Sequence, residues 1–386
     1  MGKFSYTGTG FVYGRVIPVP VYEPRIRNQV WFTKLGAGTL VRYITHYLDI
    51  PMTPTIQDIA KQLVAPNKGI LAADESASTM QKRLTSINVP NTTENGRRFR
   101  ELLFTTPDLG RYLSGVILYD ETIRQKASTG TDFVRMLDQM GIIPGIKVDL
   151  GLVPLTPYTA EEVSRGLDTL DARLMEYHEL GARFTKWRSV IRISDTLPTE
   201  IALAANAHVL AQYAHAVQAH HMVPMVEPEV LFDGTHTLAR SREVLEHTLR
   251  VLFETLIAYN VDLRGLVLKT SMALPGKDSG TPLDPILVAR ETVAALSAAV
   301  PKDVAGIVFL SGGQTPAQAT ANLDAIARLG TQAWPLTFSY SRALEEPVLE
   351  AWRGQDANKV DAHRAFVKRL TLTVAARNGA YRRDME

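Results

Sequence analysis

The chain has 386 residues, 45% hydrophobic and 21% charged, with a formal net charge of +2. That length fits one large domain or two small ones, and the balanced charge speaks against nucleic acid or an anionic membrane as the main partner. Zero cysteines exclude disulfides, thiol catalysis and cysteine-ligated zinc, and no apolar run approaches the roughly 18 residues of a membrane span.

Residues 1–51 stand apart. The stretch FVYGRVIPVPVYEPRIRNQVWF is rich in Val, Tyr, Pro and Arg and has no helical period. It lacks the apolar core and small-residue cleavage site of a signal peptide, and Ser5 is the only serine before Pro51, which fits a transit peptide poorly. Tyr6 stands where a myristoylation signal needs Ser or Thr. These residues read as an irregular extension, disordered or following a misplaced start. From Met52 the pattern changes. MTPTIQDIAKQLV offers Thr53 or Thr55 as a cap and Pro54 in a first turn, then Ile56, Ile59, Ala60 and Leu63 at helical spacing. The compact unit is therefore expected over 52–386.

Eight short apolar runs that end in polar residues follow. They are GILAADES (69–76), SGVILYDE (114–121), GIKVD (145–149), RFTKWRSV (183–190), VPMVEPE (223–229), GLVLKTS (265–271), GIVFLSGG (306–313) and PLTFSYSR (335–342). Their starts lie 29 to 45 residues apart, room for one helix each. Residues 238–260 show such a helix, with Leu245, Leu249, Leu252 and Leu256 on one face. Strands alternating with helices imply parallel pairing through right-handed crossovers. Eight units and the absence of a Gly-x-Gly-x-x-Gly turn after the first strand favour a closed (β/α)8 TIM barrel, a single domain, over an open sheet.

The sixth run sets Lys269 directly after Gly265-Leu266-Val267-Leu268. An ammonium there must be paired, lose its proton, or reach solvent along its stem. In a barrel the C-terminal strand ends converge on one mouth. Here those ends carry Asp74, Lys147, Lys186, Arg188, Glu227, Glu229, Lys269, Ser311 and Arg342. Neighbouring ammonium groups and an apolar wall depress lysine pKa values, and a neutral lysine attacks carbonyl carbon.

LAADES, GIKVD, KWR, VEPE, VLK followed by Met272, FLSGG and LTFSYSRAL occur in one order and context. Together these motifs resemble the class I fructose-1,6-bisphosphate aldolases over about residues 53–380. The resemblance implies a cytoplasmic (β/α)8 lyase of glycolysis, usually a homotetramer. Such an enzyme reversibly cleaves fructose 1,6-bisphosphate to dihydroxyacetone phosphate and glyceraldehyde 3-phosphate through a lysine Schiff base, with no metal or other cofactor. By motif position, Lys269 corresponds to the Schiff-base lysine. Glu227 corresponds to the acid/base of carbinolamine dehydration and Lys186 to the lysine assisting it. Asp74 corresponds to the carboxylate that takes the C4 hydroxyl proton. Read from the residues alone, Asp74 could instead cap a helix and Lys186 could serve a structural ion pair. Glu229 and Arg188 are candidates to hold this network and contact substrate. Glu227 and Glu229, two apart in an extended run, are expected on one side, with basic partners on either reading.

For phosphate, the loops after the seventh and eighth strands offer Ser311, Gly312 and Gly313 as a backbone nest, with Ser339 and Arg342 adding a hydroxyl and a guanidinium. Glycine pairs also mark ordinary turns. Ser76, Thr79, Lys82, Arg83 and Lys147 are candidates for the second phosphate. Departures from the family pattern are Ser341 and Ser78 in place of glycines, Ser341 being expected to weaken one phosphate contact. The sequence ends at YRRDME rather than in a tail with a terminal tyrosine, and Tyr381 aligns with the last helix, which leaves enamine protonation open. Among the nine histidines, His208, His215, His220 and His221 read as surface residues rather than zinc ligands. Rival readings are a metal-dependent aldolase, another Schiff-base lyase or transaldolase, and a scaffold acting through residues 1–51.

Overall fold

The structure, a computed structural model, describes residues 54–156 and 160–386 and the backbone of 31–35 and 39–43. The chain falls into two units, Met1–Thr53 and Pro54–Glu386. In the first, Trp31–Leu35 pairs antiparallel with Thr39–Tyr43, Trp31 opposite Tyr43 and Leu35 opposite Thr39. Part of the segment expected to be irregular is thus a hairpin. The signal was present: β-branched and aromatic residues flank Gly36-Ala37-Gly38. The rest of residues 1–51 and Thr53 lie outside the described residues.

The second unit is the expected barrel. Its strands are β1 (Gly69–Ala72), β2 (Leu113–Leu118), β3 (Ile143–Lys147), β4 (Phe184–Ile191), β5 (Val223–Val230), β6 (Val267–Thr270), β7 (Gly306–Phe309) and β8 (Leu336–Tyr340). Each pairs in parallel with the next in chain order, and β8 pairs with β1, closing the ring. Every residue of β1, β2, β6 and β7 is buried, because helices cover the outer face and side chains fill the inner one. That two-sided burial is why these strands read as continuous apolar runs rather than alternating ones.

Helix α1 (Ile56–Leu63) begins at Thr55, whose side chain accepts from the Asp58 N–H while Asp58 accepts from the Thr55 backbone. Of the two threonines proposed as caps, Thr55 is used, and Pro54 precedes the helix rather than entering its first turn. Ile59, Ala60 and Leu63 pack with Ile70, Ile117, Met225, Val267 and Val308, so α1 plugs the N-terminal end of the barrel. Two glycines allow this approach: a Cβ on Gly306 would lie 2.6 Å from Val64, and one on Gly115 2.8 Å from Leu63.

The covering helices bury one face each. In α7 (Leu238–Ala258), capped by Thr237, the predicted stripe Leu245, Leu249, Leu252 and Leu256 lies in the core. The others that bear on the site are α2 (Ala77–Ser86), α3 (Thr93–Phe104), α6 (Glu200–Ala219), α9 (Pro316–Arg328), α10 (Arg342–Trp352) and α11 (Lys359–Arg377). Among the described residues no helix is long and apolar enough to cross a membrane.

Candidate active site

With the α1 end plugged, the C-terminal strand ends open into a cavity of about 570 Å³. Asp74, Thr79, Lys82, Arg83, Lys186, Arg188, Glu227, Glu229, Lys269, Ser311, Gly312, Ser339 and Arg342 line it. Thirteen of the sixteen positions singled out from sequence therefore meet in one place. Barrel closure does this: parallel strands end at the same level, and each last inward-facing residue points at the same axis.

At the floor lies a chain of alternating charges. Lys269 Nζ is 3.1 Å from Glu227 Oε1, Lys186 Nζ is 2.7 Å from Glu227 Oε2, and Lys186 Nζ donates to Asp74 Oδ2 at 3.0 Å. Lys186, Glu227 and Lys269 are 3 to 4% exposed. Lys269 therefore does not reach solvent on its stem; it is buried and paired. Asp74 does not cap α2 either, since Ser76 occupies that position.

Electrostatics distinguish the two lysines. Burial lowers the Lys186 pKa, but Asp74 and Glu227 on either side outweigh burial and raise it, so Lys186 stays charged. Mutual depression by neighbouring lysines, expected from the strand ends, fails at Lys186 because carboxylates interleave. Burial pushes Glu227 up, yet Lys186, Lys269 and Arg188 bring it below the ordinary glutamate value. Asp74 behaves alike: burial raises it, Lys186 and Lys269 lower it further, and the net direction is down. Both carboxyl groups are thus ionised near neutrality.

Glu229 lies on the same side of β5 as Glu227 and takes the Arg188 Nε at 2.5 Å. Among the phosphate candidates, the Ser339 hydroxyl is buried with no partner among the described residues, a donor facing the cavity and waiting for an acceptor. Arg342 opens α10, and its guanidinium donates to the Gly312 carbonyl. Lys82, Arg83 and Thr79 reach the wall from α2.

Three positions fall outside the lining. Lys147 turns to Asp149, 2.7 Å from its Oδ1. Ser76 meets the hydroxyls of Ser78 and Thr79 at 3.1 and 3.2 Å, one step behind the wall. A Cβ on Gly313 would come 2.6 Å from the Phe232 ring, so this glycine serves close packing. Sequence reading missed Glu75, Arg100 and Glu345, buried charges behind the cavity. Glu75 is quoted in LAADES, but nothing local reveals that it turns away from the mouth.

Tyr381 is buried beyond the end of α11, its N–H on Asp324 and its hydroxyl on Glu386, and it is not among the lining residues. His208 and His215 are exposed on α6, and His220 pairs with Asp171 at 2.7 Å. Among the described residues no group of three or more His, Asp or Glu is arranged to hold a metal ion.

Residues 55–386 match the family model described as fructose-bisphosphate aldolase class-I. A probable fructose-bisphosphate aldolase class 1 of Xylella fastidiosa is 50% identical over 297 residues, covering 77% of this chain and 89% of that protein. Cytosolic fructose-bisphosphate aldolase 4 of Arabidopsis thaliana is 45% identical over 328 residues, 85% of this chain and 84% of the relative. A solved structure of fructose-bisphosphate aldolase from Plasmodium falciparum superposes with a TM-score of 0.84 at 41% identity, covering 85% of this chain and 95% of its own.

Proposed function

Because the chain belongs to the class-I fructose-bisphosphate aldolase family, a family of glycolytic lyases, we propose that Lys269 is the amine that captures the substrate ketone. One observation carries this assignment. Of the two buried lysines at the barrel mouth, Lys186 is fixed as a cation between two carboxylates, whereas Lys269 pairs, among the described residues, with one carboxylate, Glu227, at 3.1 Å. An amine attacks only after shedding its proton, and Glu227 is in reach to take it.

The reaction then follows the positions of the groups. Lys269 adds to C2 of fructose 1,6-bisphosphate, and Glu227 returns a proton to the departing hydroxyl, so water leaves and an iminium forms. That cation draws the electron pair of the C3–C4 bond. Asp74, ionised beside Lys186, accepts the C4 hydroxyl proton as glyceraldehyde 3-phosphate leaves. Lys186 stabilises negative charge on both carboxylates without entering covalent chemistry.

The C1 phosphate is carried on the carbon next to the captured C2. It falls to Ser311 and Gly312 in the loop after β7, the strand beside β6, and to Ser339 on β8 and Arg342 at the start of α10. The C6 phosphate reaches the α2 side, where Thr79, Lys82 and Arg83 stand. Lys147 and Ser76 support this end from behind, and Gly313 shapes the loop. The chemistry uses no metal, in keeping with the family. A cytosolic location and a homotetramer are proposed on the same family basis.

The test is trapping. Borohydride added with fructose 1,6-bisphosphate should inactivate the enzyme and leave a triose phosphate or hexose phosphate mass on the peptide containing Lys269; label on Lys186 instead would overturn the assignment. Cleavage should persist in EDTA, and loss of activity restored by a divalent metal would favour the metal-dependent alternative. The catalytic unit is proposed to start at Pro54, close to where the family match begins. Deleting residues 1–53 should leave kcat/KM within about twofold of the full chain, with the same melting temperature for the barrel. A collapse of that transition would place residues 1–53 within the barrel's folding unit.

A further inference from the structure

Behind Arg83, the cavity wall is backed by a cluster of charges that the reaction scheme leaves unused. Arg83 Nη1 lies 3.0 Å from Glu75 Oε1 and also pairs with Glu345 Oε2, while Nη2 donates to the Ser341 hydroxyl at 2.6 Å. The Ser341 hydroxyl in turn donates to Glu75 Oε1 at 2.9 Å, and the far oxygen of Glu75 pairs with Arg100. We propose that Glu345 and Ser341 are positioning residues that hold the Arg83 guanidinium toward the C6 phosphate of the sugar. This rests on the reading that Arg83 contacts that phosphate.

Arg83 stands in the last turn of α2 on a long stem, and a free arginine side chain would lose much rotamer freedom on gripping a ligand. The clamp removes that cost in advance. Its parts come from separate elements: Glu75 from the loop after β1, Ser341 from the residue before α10, and Glu345 from the first turn of α10. These contacts use one edge of the guanidinium and leave further N–H groups for a phosphate. The hydroxyl that a glycine at 341 would lack is one rung of the clamp.

Charge decides what Arg83 presents. Two guanidiniums face two glutamates, and were both glutamates ionised, the cluster would offer a phosphate no net charge. Glu345 is fully buried, and its Oε1 accepts from no donor among the described residues. Burial and the adjacent Glu75 push its carboxyl well above the ordinary range, so it keeps its proton and donates to Glu75. Glu75 itself, although burial pushes it up, is held down by Arg100 and Arg83. One positive charge is then left over. It lies at Arg83, whose side chain is 15% exposed, rather than at Arg100, 3% exposed. Asp74 and Glu346 also act on Arg83, but neither is in contact with it.

The experiment compares fructose 1,6-bisphosphate with fructose 1-phosphate, which lacks the group Arg83 would hold. Glu345→Ala should raise KM for the bisphosphate about tenfold with kcat little changed, the effect of one weakened charge-assisted contact. It should leave the monophosphate constants alone. Glu345→Gln, a neutral donor of the same shape, should restore the bisphosphate KM at neutral pH, and Ser341→Gly should give a smaller rise than Glu345→Ala. In the unmodified enzyme that KM should climb as pH rises through the raised pKa of Glu345, a rise absent in Glu345→Gln. Stability should follow: a raised folded pKa contributes fully below the ordinary value of 4.5 and is lost as pH rises through the folded value. Glu345→Gln should remove that decline.

Arg83→Ala separates the two levels. A selective bisphosphate effect in Arg83→Ala with none in Glu345→Ala would overturn the clamp alone. Equal effects of Arg83→Ala on both substrates would overturn the phosphate reading beneath it. Should Glu345→Ala fail to fold, the pH profile of Glu345→Gln decides, and a profile matching the unmodified enzyme would overturn the proposal.

Discussion

Alanine in place of Lys269 is expected to reduce cleavage by about 10⁴-fold or more and to abolish the borohydride-trapped adduct. The size follows from covalent catalysis: without the amine there is no iminium, hence no sink for the electron pair of the C3–C4 bond, and only binding and general-base effects remain. Lys186 should not substitute. Asp74 and Glu227 hold it as a cation, and an ammonium has no lone pair to offer. The fold should survive, because the loss leaves Glu227 still paired with Lys186 at 2.7 Å and Arg188 nearby. Single-turnover assays and intact-mass measurement after reduction would check this. A substantial residual adduct in Lys269→Ala would move the nucleophile elsewhere.

Glutamine in place of Glu227 is expected to slow Schiff-base formation by about 10²- to 10⁴-fold, the span for loss of a positioned acid/base. Glu227 touches both lysines, through different oxygens. Glutamine keeps the shape but carries no transferable proton, and it leaves the Lys186 ammonium with Asp74 at 3.0 Å as its close carboxylate. Adduct formation should therefore slow much more than phosphate binding weakens, since the phosphate groups sit on other loops. Stopped-flow trapping would measure the first, and inhibition by inorganic phosphate the second. Equal losses in both would mark Glu227 as a structural ion-pair partner. A destabilisation of about 3–5 kcal/mol, the usual effect of breaking a buried ion pair, would accompany that outcome.

The site was legible to the extent that its residues end strands. Glu227 and Lys269 each follow an apolar run, Lys186 lies within the fourth run, and closure of the barrel brings these strands together whatever their separation in sequence. Lys147 also ends a strand, yet it is drawn off by Asp149, two residues further on. Gly313 carried the signature of an anion nest, but its lack of a side chain answers to the Phe232 ring. In both cases the residue type was informative and its direction was not.

The buried group of Glu75, Arg83, Arg100 and Glu345 shows the same limit more sharply. Its members lie as far apart as positions 75 and 345, on four elements, and no spacing marks them as partners. Which glutamate holds a proton depends on burial and on the distance to the other, and neither quantity exists before the chain closes.

By itself the sequence determined the eight-strand plan, the presence of a helix soon after Met52 and the identity of most cavity residues, because periodicity and strand length are local properties. Only the tertiary structure decided which lysine is held between two carboxylates, which candidates turn away from the mouth, and how the carboxylates are shared. Those outcomes follow from electrostatic coupling over a few ångströms between groups that are remote along the chain.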